Sequence, residues 1–138
     1  MRRFALSSWT AIALVAVGVG SCASSGRGGP DREEVFLNAP ACAELVDRHR
    51  ADPSLPVHAP ATPLSIVLPG RRERGAEATI RFTVTEAGDV DRESIEVEGD
   101  VSPELRGHLV EVTAPMRFQP ARVGDCWVAS TYSWQYTG

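Results

Sequence analysis

Three histidines, at positions 49, 58 and 108, are the side chains of this 138-residue chain best suited to moving a proton near neutral pH. Acid–base or nucleophilic catalysis would need one of them paired with a carboxylate, Ser or Cys at an informative spacing, and none is. His49 closes the series Cys42, Leu45, Val46, His49 at i, i+3, i+4 and i+7. It has no second ligand at metal-binding spacing, so it reads as the partly covered edge of a helix face. His108 lies beside an apolar helical stripe and reads as structural. Asp89, Asp91, Glu93, Glu96, Glu98 and Asp100 suggest a cation at first sight. They lack the Gly and terminal Glu spacing of an EF-hand calcium loop, and alternating acids are what a solvated strand face looks like. The expectation is no catalytic residue, no metal and no cofactor. What chemistry remains belongs to three cysteines, Cys22, Cys42 and Cys126.

Cys22 ends a leader. Arg2 and Arg3 precede an apolar run from Phe4 through Val19, then Gly20 and Ser21, which is the layout of a secretory signal. Val19-Gly20-Ser21-Cys22 resembles the bacterial lipobox, in which the Cys is lipidated and becomes the new N-terminus. The resemblance implies a signal peptide over residues 1–21, a lipid anchor on Cys22 and export of the body. An uncleaved apolar anchor is the alternative, since the run approaches the ~17 to 25 residues that span a bilayer. Ala23 follows the Cys, so by resemblance to known sorting rules the outer membrane is favoured, with the body facing the periplasm.

With Cys22 assigned to lipid, Cys42 and Cys126 remain in an oxidising compartment and are expected to form a disulfide. Two buried free thiols are the alternative. Charge narrows the partners further. The chain holds 14 basic residues, all Arg, against 18 acidic ones. Removing Arg2 and Arg3 with the leader leaves 12 minus 18, or −6, which argues against nucleic acid or an anionic lipid surface as the main partner.

The elements that would position these residues follow in order. Residues 22–34 hold ASSGRGGP and read as a flexible tether reaching at most about 3.3 to 3.6 Å per residue. Residues 35–70 hold a helix over part of Val35 to Arg50, capped by Asn38 or Ala39, started by Pro40 and closed by Asp52-Pro53. A lead-in with prolines at 53, 56, 60, 63 and 69 follows, in which Leu64, Ile66 and Leu68 alternate as in an edge strand or strap. The Arg71, Arg72, Arg74 cluster reads as a solvated turn.

Residues 71–138 carry the clearest pattern. Ala78 to Thr85 alternates, with Ile80, Phe82 and Val84 on one face. Glu86-Ala87-Gly88-Asp89 turns the chain, and a second strand runs from about Val90 to Glu98 with a bulge reconciling Val90 with Ile95 and Val97. Ser102 caps a helix with Pro103 at its first position and Leu105, Leu109 and Val112 as its stripe. A last strand from Cys126 to Thr137 places Val128, Tyr132, Trp134 and Tyr136 on one face. The expected class is α+β: an antiparallel three-stranded sheet, strand-strand-helix-strand, with an additional N-terminal helix packed on it.

Gly88, then the helix, then Arg117-Phe118-Gln119-Pro120-Ala121 and Gly124 before the final strand, resemble the C-terminal domain of TonB proteins over roughly Ala76 to Tyr136. Met116 stands where that family usually has Trp, and the Pro-rich lead-in replaces its preceding helix. The resemblance implies a binding module that captures an extended segment, such as the N-terminal box of an outer-membrane receptor, as an added strand, and a link to TonB-dependent transport. The implied edge is the last strand, with Trp127, Ala129, Thr131, Tyr132 and Trp134. TonB energy transducers carry a His in their membrane helix and a long linker; here the apolar run has no His and the tether is short, which argues against transduction. The alternative is a structural lipoprotein whose sheet edge mediates oligomerisation or docking in an envelope complex.

Overall fold

Alternation in Glu77–Val84 makes the central strand, because every second side chain, Ala78, Ile80, Phe82 and Val84, is buried while those between are exposed or half-exposed. The computed structural model describes residues 35–66 and 69–138. The leader, Cys22 and the tether lie outside the described residues, as does Leu68. Among the described residues the chain runs through a 3-10 turn Pro40–Cys42, α1 (Ala43–Ala51), β1 (Thr62–Pro63), β2 (Glu77–Val84), β3 (Glu96–Asp100), α2 (Pro103–Thr113), β4 (Phe118–Gln119), β5 (Ala121–Val123), β6 (Cys126–Val128) and β7 (Ser130–Thr137). The described residues form a mixed α+β fold with two α-helices and small antiparallel sheets.

The largest sheet has the order β3-β2-β7. Ile80 faces Val97 on one side and Trp134 on the other, which fixes both registers. Two further pairs, β1-β4 and β5-β6, complete the strands. Helix α2 starts where Ser102 Oγ accepts from the Leu105 N–H at 3.1 Å, with Pro103 at its first position. Its buried side chains Leu105 and Leu109 join Ile80, Phe82, Val84, Met116 and Phe118 in the core. Phe82, Phe118 and Tyr132 meet there as an aromatic trio, with ring centroids 4.9 to 5.6 Å apart, within the favourable range for edge and tilted contacts. All of these core residues lie in 61–136, so the described part carries its own core.

The structure departs from the sequence expectations at three elements. No bulge joins Val90 to Ile95; Val84 and Val90 form an isolated bridge, and a 3-10 turn Arg92–Ser94, capped by Asp91, resets the parity before β3. The last strand is two: β6 pairs with β5, and after the buried Ala129 the chain leaves that hairpin so that β7 pairs with β2. Helix α1 packs on β6 rather than on the three-stranded sheet. Its face of Cys42, Val46 and His49 is buried, His49 at 3% exposure and so more deeply than an edge position. The lead-in is tied into the rest of the fold. Ala61 sits in the core, β1 pairs with β4, and Ala59 bridges Arg122, so residues 35–70 and 71–138 interleave.

Candidate functional site

Any strand at the border of a sheet presents unpaired N–H and C=O groups, and proteins cover such borders unless they are used. Among the described residues, backbone groups on the borders of β3, β5 and β6 have partners. On β3, the residues paired through the ladder leave the carbonyls of Val97 and Gly99 pointing outward. Arg106 of α2 donates to both through its guanidinium, at 3.2 Å for Gly99. On β5, Ala59 and Arg122 exchange backbone hydrogen bonds at 3.1 and 2.9 Å, and the His58 N–H donates to the same Arg122 carbonyl at 2.8 Å. On β6, the side-chain amide of Asn38 imitates a strand. Its Oδ1 accepts from the Trp127 N–H at 2.7 Å and its Nδ2 donates to the Trp127 carbonyl at 2.8 Å.

The border of β7 is closed only at its start. There the Thr131 N–H donates to the Pro53 carbonyl at 3.0 Å, on the side away from β2. That bond also sets the parity. Thr131, Ser133, Gln135 and Thr137 aim their backbone groups outward, while Ser130, Tyr132, Trp134 and Tyr136 aim theirs at β2, continued by the Gly138 N–H to the Ala76 carbonyl at 2.9 Å. Among the described residues, Ser133, Gln135 and Thr137 have no partner on their outer side.

An apolar groove of about 230 Å³ runs beside this open half. Trp134, Tyr136 and Met116 line it from the domain, and Pro63, Ile66 and Pro69 from the lead-in. Ile66 is 68% exposed, a large apolar side chain left in water at the groove's lip. The indole Nε1 of Trp134 is buried without an acceptor among the described residues. Tyr136 anchors the far wall: its hydroxyl accepts from the Glu73 N–H at 3.0 Å and donates to the Arg71 carbonyl at 3.3 Å, which holds the Arg71–Glu73 turn against β7. Arg71 itself pairs with Glu104 at 3.0 Å, while Arg72 lines the groove. From Ser130 to Gly138 no side chain is charged.

The five residues expected on the edge strand therefore separate. Trp127 belongs to β6, where Asn38 occupies its backbone, Phe36 meets its ring edge-on at 5.1 Å, and the Arg122 guanidinium lies 5.4 Å from its centroid. Ala129 is buried at the break between β6 and β7. Thr131 is on β7 with its outward N–H taken by Pro53. Tyr132 turns into the aromatic trio and, with Trp134, reaches the groove. The open border is carried instead by Ser133, Gln135 and Thr137, since which alternate residues of a strand aim their backbone at the neighbouring strand is not readable from that strand's own pattern.

The motif residues form a support rather than a site. The Phe118 N–H donates to the Gly88 carbonyl at 2.9 Å, Arg117 pairs with Asp89 across the same contact, and Phe118, Pro120 and Ala121 are fully buried. Gly124 takes a φ of 60° in the β5-β6 turn, and its N–H donates to His58 Nδ1 at 2.9 Å. Cys42 and Cys126 are joined, with Cα atoms 5.6 Å apart, tying α1 to the start of β6. Around the Pro53 cap, the hydroxyl and amide of Ser54 hold the Asp52 carboxyl below the usual carboxylate range. Glu86 accepts from Arg50 and raises the guanidinium further above its ordinary value. Among the described residues no cluster of His, Cys, Asp and Glu is close enough to hold a metal ion, and no helix is long and apolar enough to cross a membrane. The chain matches no family model, and no characterised protein matches it.

Proposed function

We propose that this is an envelope lipoprotein, anchored through Cys22, that binds an extended segment of a partner protein by strand addition along β7. The observation that carries the reading is the unequal treatment of the borders. The outward carbonyls of β3 and the borders of β5 and β6 have partners, while among the described residues Ser133 to Thr137 stays open, uncharged and flanked by an apolar groove. Strand addition needs only this: main-chain groups supply affinity, and alternate side chains of the ligand find pockets. A segment laid along β7 would meet Ser133, Gln135 and Thr137 with its backbone and send every second side chain toward Trp134, Met116 and Ile66. Apolar residues at those alternate positions follow from the lining. No catalytic group is required.

The TonB-like order of Gly88, Arg117-Phe118-Gln119-Pro120-Ala121 and Gly124 supports an outer-membrane receptor's N-terminal segment as the partner, with the outer membrane as the location. Titrating the 35–138 domain with synthetic peptides copying such segments, followed by amide NMR, tests the reading. Binding should protect the amides of Ser133, Gln135 and Thr137. Ser133→Pro, which removes an outward donor and no bond to β2, should weaken binding at least about tenfold, roughly the worth of one or two hydrogen bonds. Binding that leaves those three amides unprotected, or no binding by any such peptide, would overturn it.

A further inference from the structure

The open half of β7 complements itself. Natural sheets guard exposed borders with Lys, Pro or inward charges, and the stretch Ser130 to Gly138 has none of these. We propose that, when no partner segment is bound, β7 pairs antiparallel with β7 of a second copy about a two-fold axis at Gln135, so that self-pairing and partner capture compete for one border. The competition rests on the reading of β7 as the receptive edge.

The register follows from what is already occupied. Outward groups belong to Thr131, Ser133, Gln135 and Thr137, and Thr131 is spent on Pro53. An axis at Gln135 sets Gln135 against its own copy and Ser133 against Thr137 of the other chain. Every free N–H and C=O of the three residues then finds a partner. Centring on Ser133 would set Thr137 opposite Ala129, which is buried beyond the end of β7, and centring on Trp134 would set it opposite Thr131, whose N–H is taken. The side chains agree with the choice. On the outer face Ser133, Gln135 and Thr137 meet without like charges, and on the groove face Trp134 comes opposite Tyr136 of the second copy, an aromatic cross-strand pair. A two-fold contact of this kind needs one patch that recognises itself, and an uncharged antiparallel strand is such a patch.

Hydrogen-bonded antiparallel partners have Cα atoms about 5.5 Å apart, inside the range of about 4.4 to 6.8 Å that a disulfide spans. Single cysteines in the full chain, oxidised in the membranes of expressing cells, therefore read the register. Gln135→Cys should give cross-linked dimer several-fold above Glu98→Cys, an exposed position on β3. Ser133→Cys alone should not, because its two copies stand four residues out of register, whereas Ser133→Cys combined with Thr137→Cys should restore the dimer. Absence of dimer with Gln135→Cys, or equal dimer with Ser133→Cys alone, overturns the self-pairing. Adding a receptor-segment peptide that binds by the NMR measurement should reduce the Gln135→Cys dimer; a bound peptide that leaves it unchanged overturns the competition. In-register dimer with no peptide binding leaves self-pairing standing and removes the peptide reading instead.

Discussion

Gly88 is required twice over at its position. Its φ of 87° is one that side-chain-bearing residues rarely adopt, and a Cβ there would collide with the Phe118 carbonyl. Gly88→Ala should therefore destabilise the domain by about 1 to 3 kcal/mol or more, read as a lowered midpoint in urea unfolding. Asp52 acts at the same scale. Its carboxyl is held below the ordinary range by Ser54, so the stabilisation is present above the unfolded value of about 3.9 and is lost as pH falls through the folded value. Because the Asp52-Pro53-Ser54 turn carries the carbonyl that closes Thr131, hydrogen exchange at the Thr131 amide should rise, relative to other β7 amides, once the pH drops below about 4. Asn38 shows where reading by residue type falls short. Its place before Pro40 suits a helix cap, but Ala39 holds that position and the Asn amide is turned to Trp127, a residue 89 positions away.

Elements were legible where their own side chains decide them. The alternation of β2 and the Ser102-Pro103 start of α2 depend on local pattern and local bonds, and both are visible in the sequence. The division of the last strand at Ala129 is not. Residues 126 to 137 keep one alternation throughout, and only competition between β5 and β2 for partners separates β6 from β7. The parity reset before β3 is likewise a turn choice, a 3-10 turn under an Asp91 cap where a bulge would also have served. Arg106 covers β3 from another element altogether, and nothing in its helical setting marks it for that task. Arg106→Ala should cost about 0.5 to 1.5 kcal/mol for each hydrogen bond lost and uncover a second border. Sedimentation should then show association that Ser133→Pro does not abolish.

At the scale of the molecule, residues 36 to 59 act as a belt whose contacts fall on Trp127, Thr131 and Arg122. The Cys42–Cys126 bridge fastens it across a sequence separation of 84. A loop of that size corresponds to about 4 to 5 kcal/mol in the chain-entropy description. Replacing both cysteines by Ala should lower the unfolding free energy by an amount of that order, measurable in urea, and should raise exchange first at Trp127 and Thr131. The near-complete cover that the belt and Arg106 give the borders has a further consequence for growth. An association along β7 occupies the stretch that is open among the described residues, and the contact closes about its own two-fold axis. A contact closed in this way pairs two strands and is not in itself the repeating, open-ended stack from which a fibre grows.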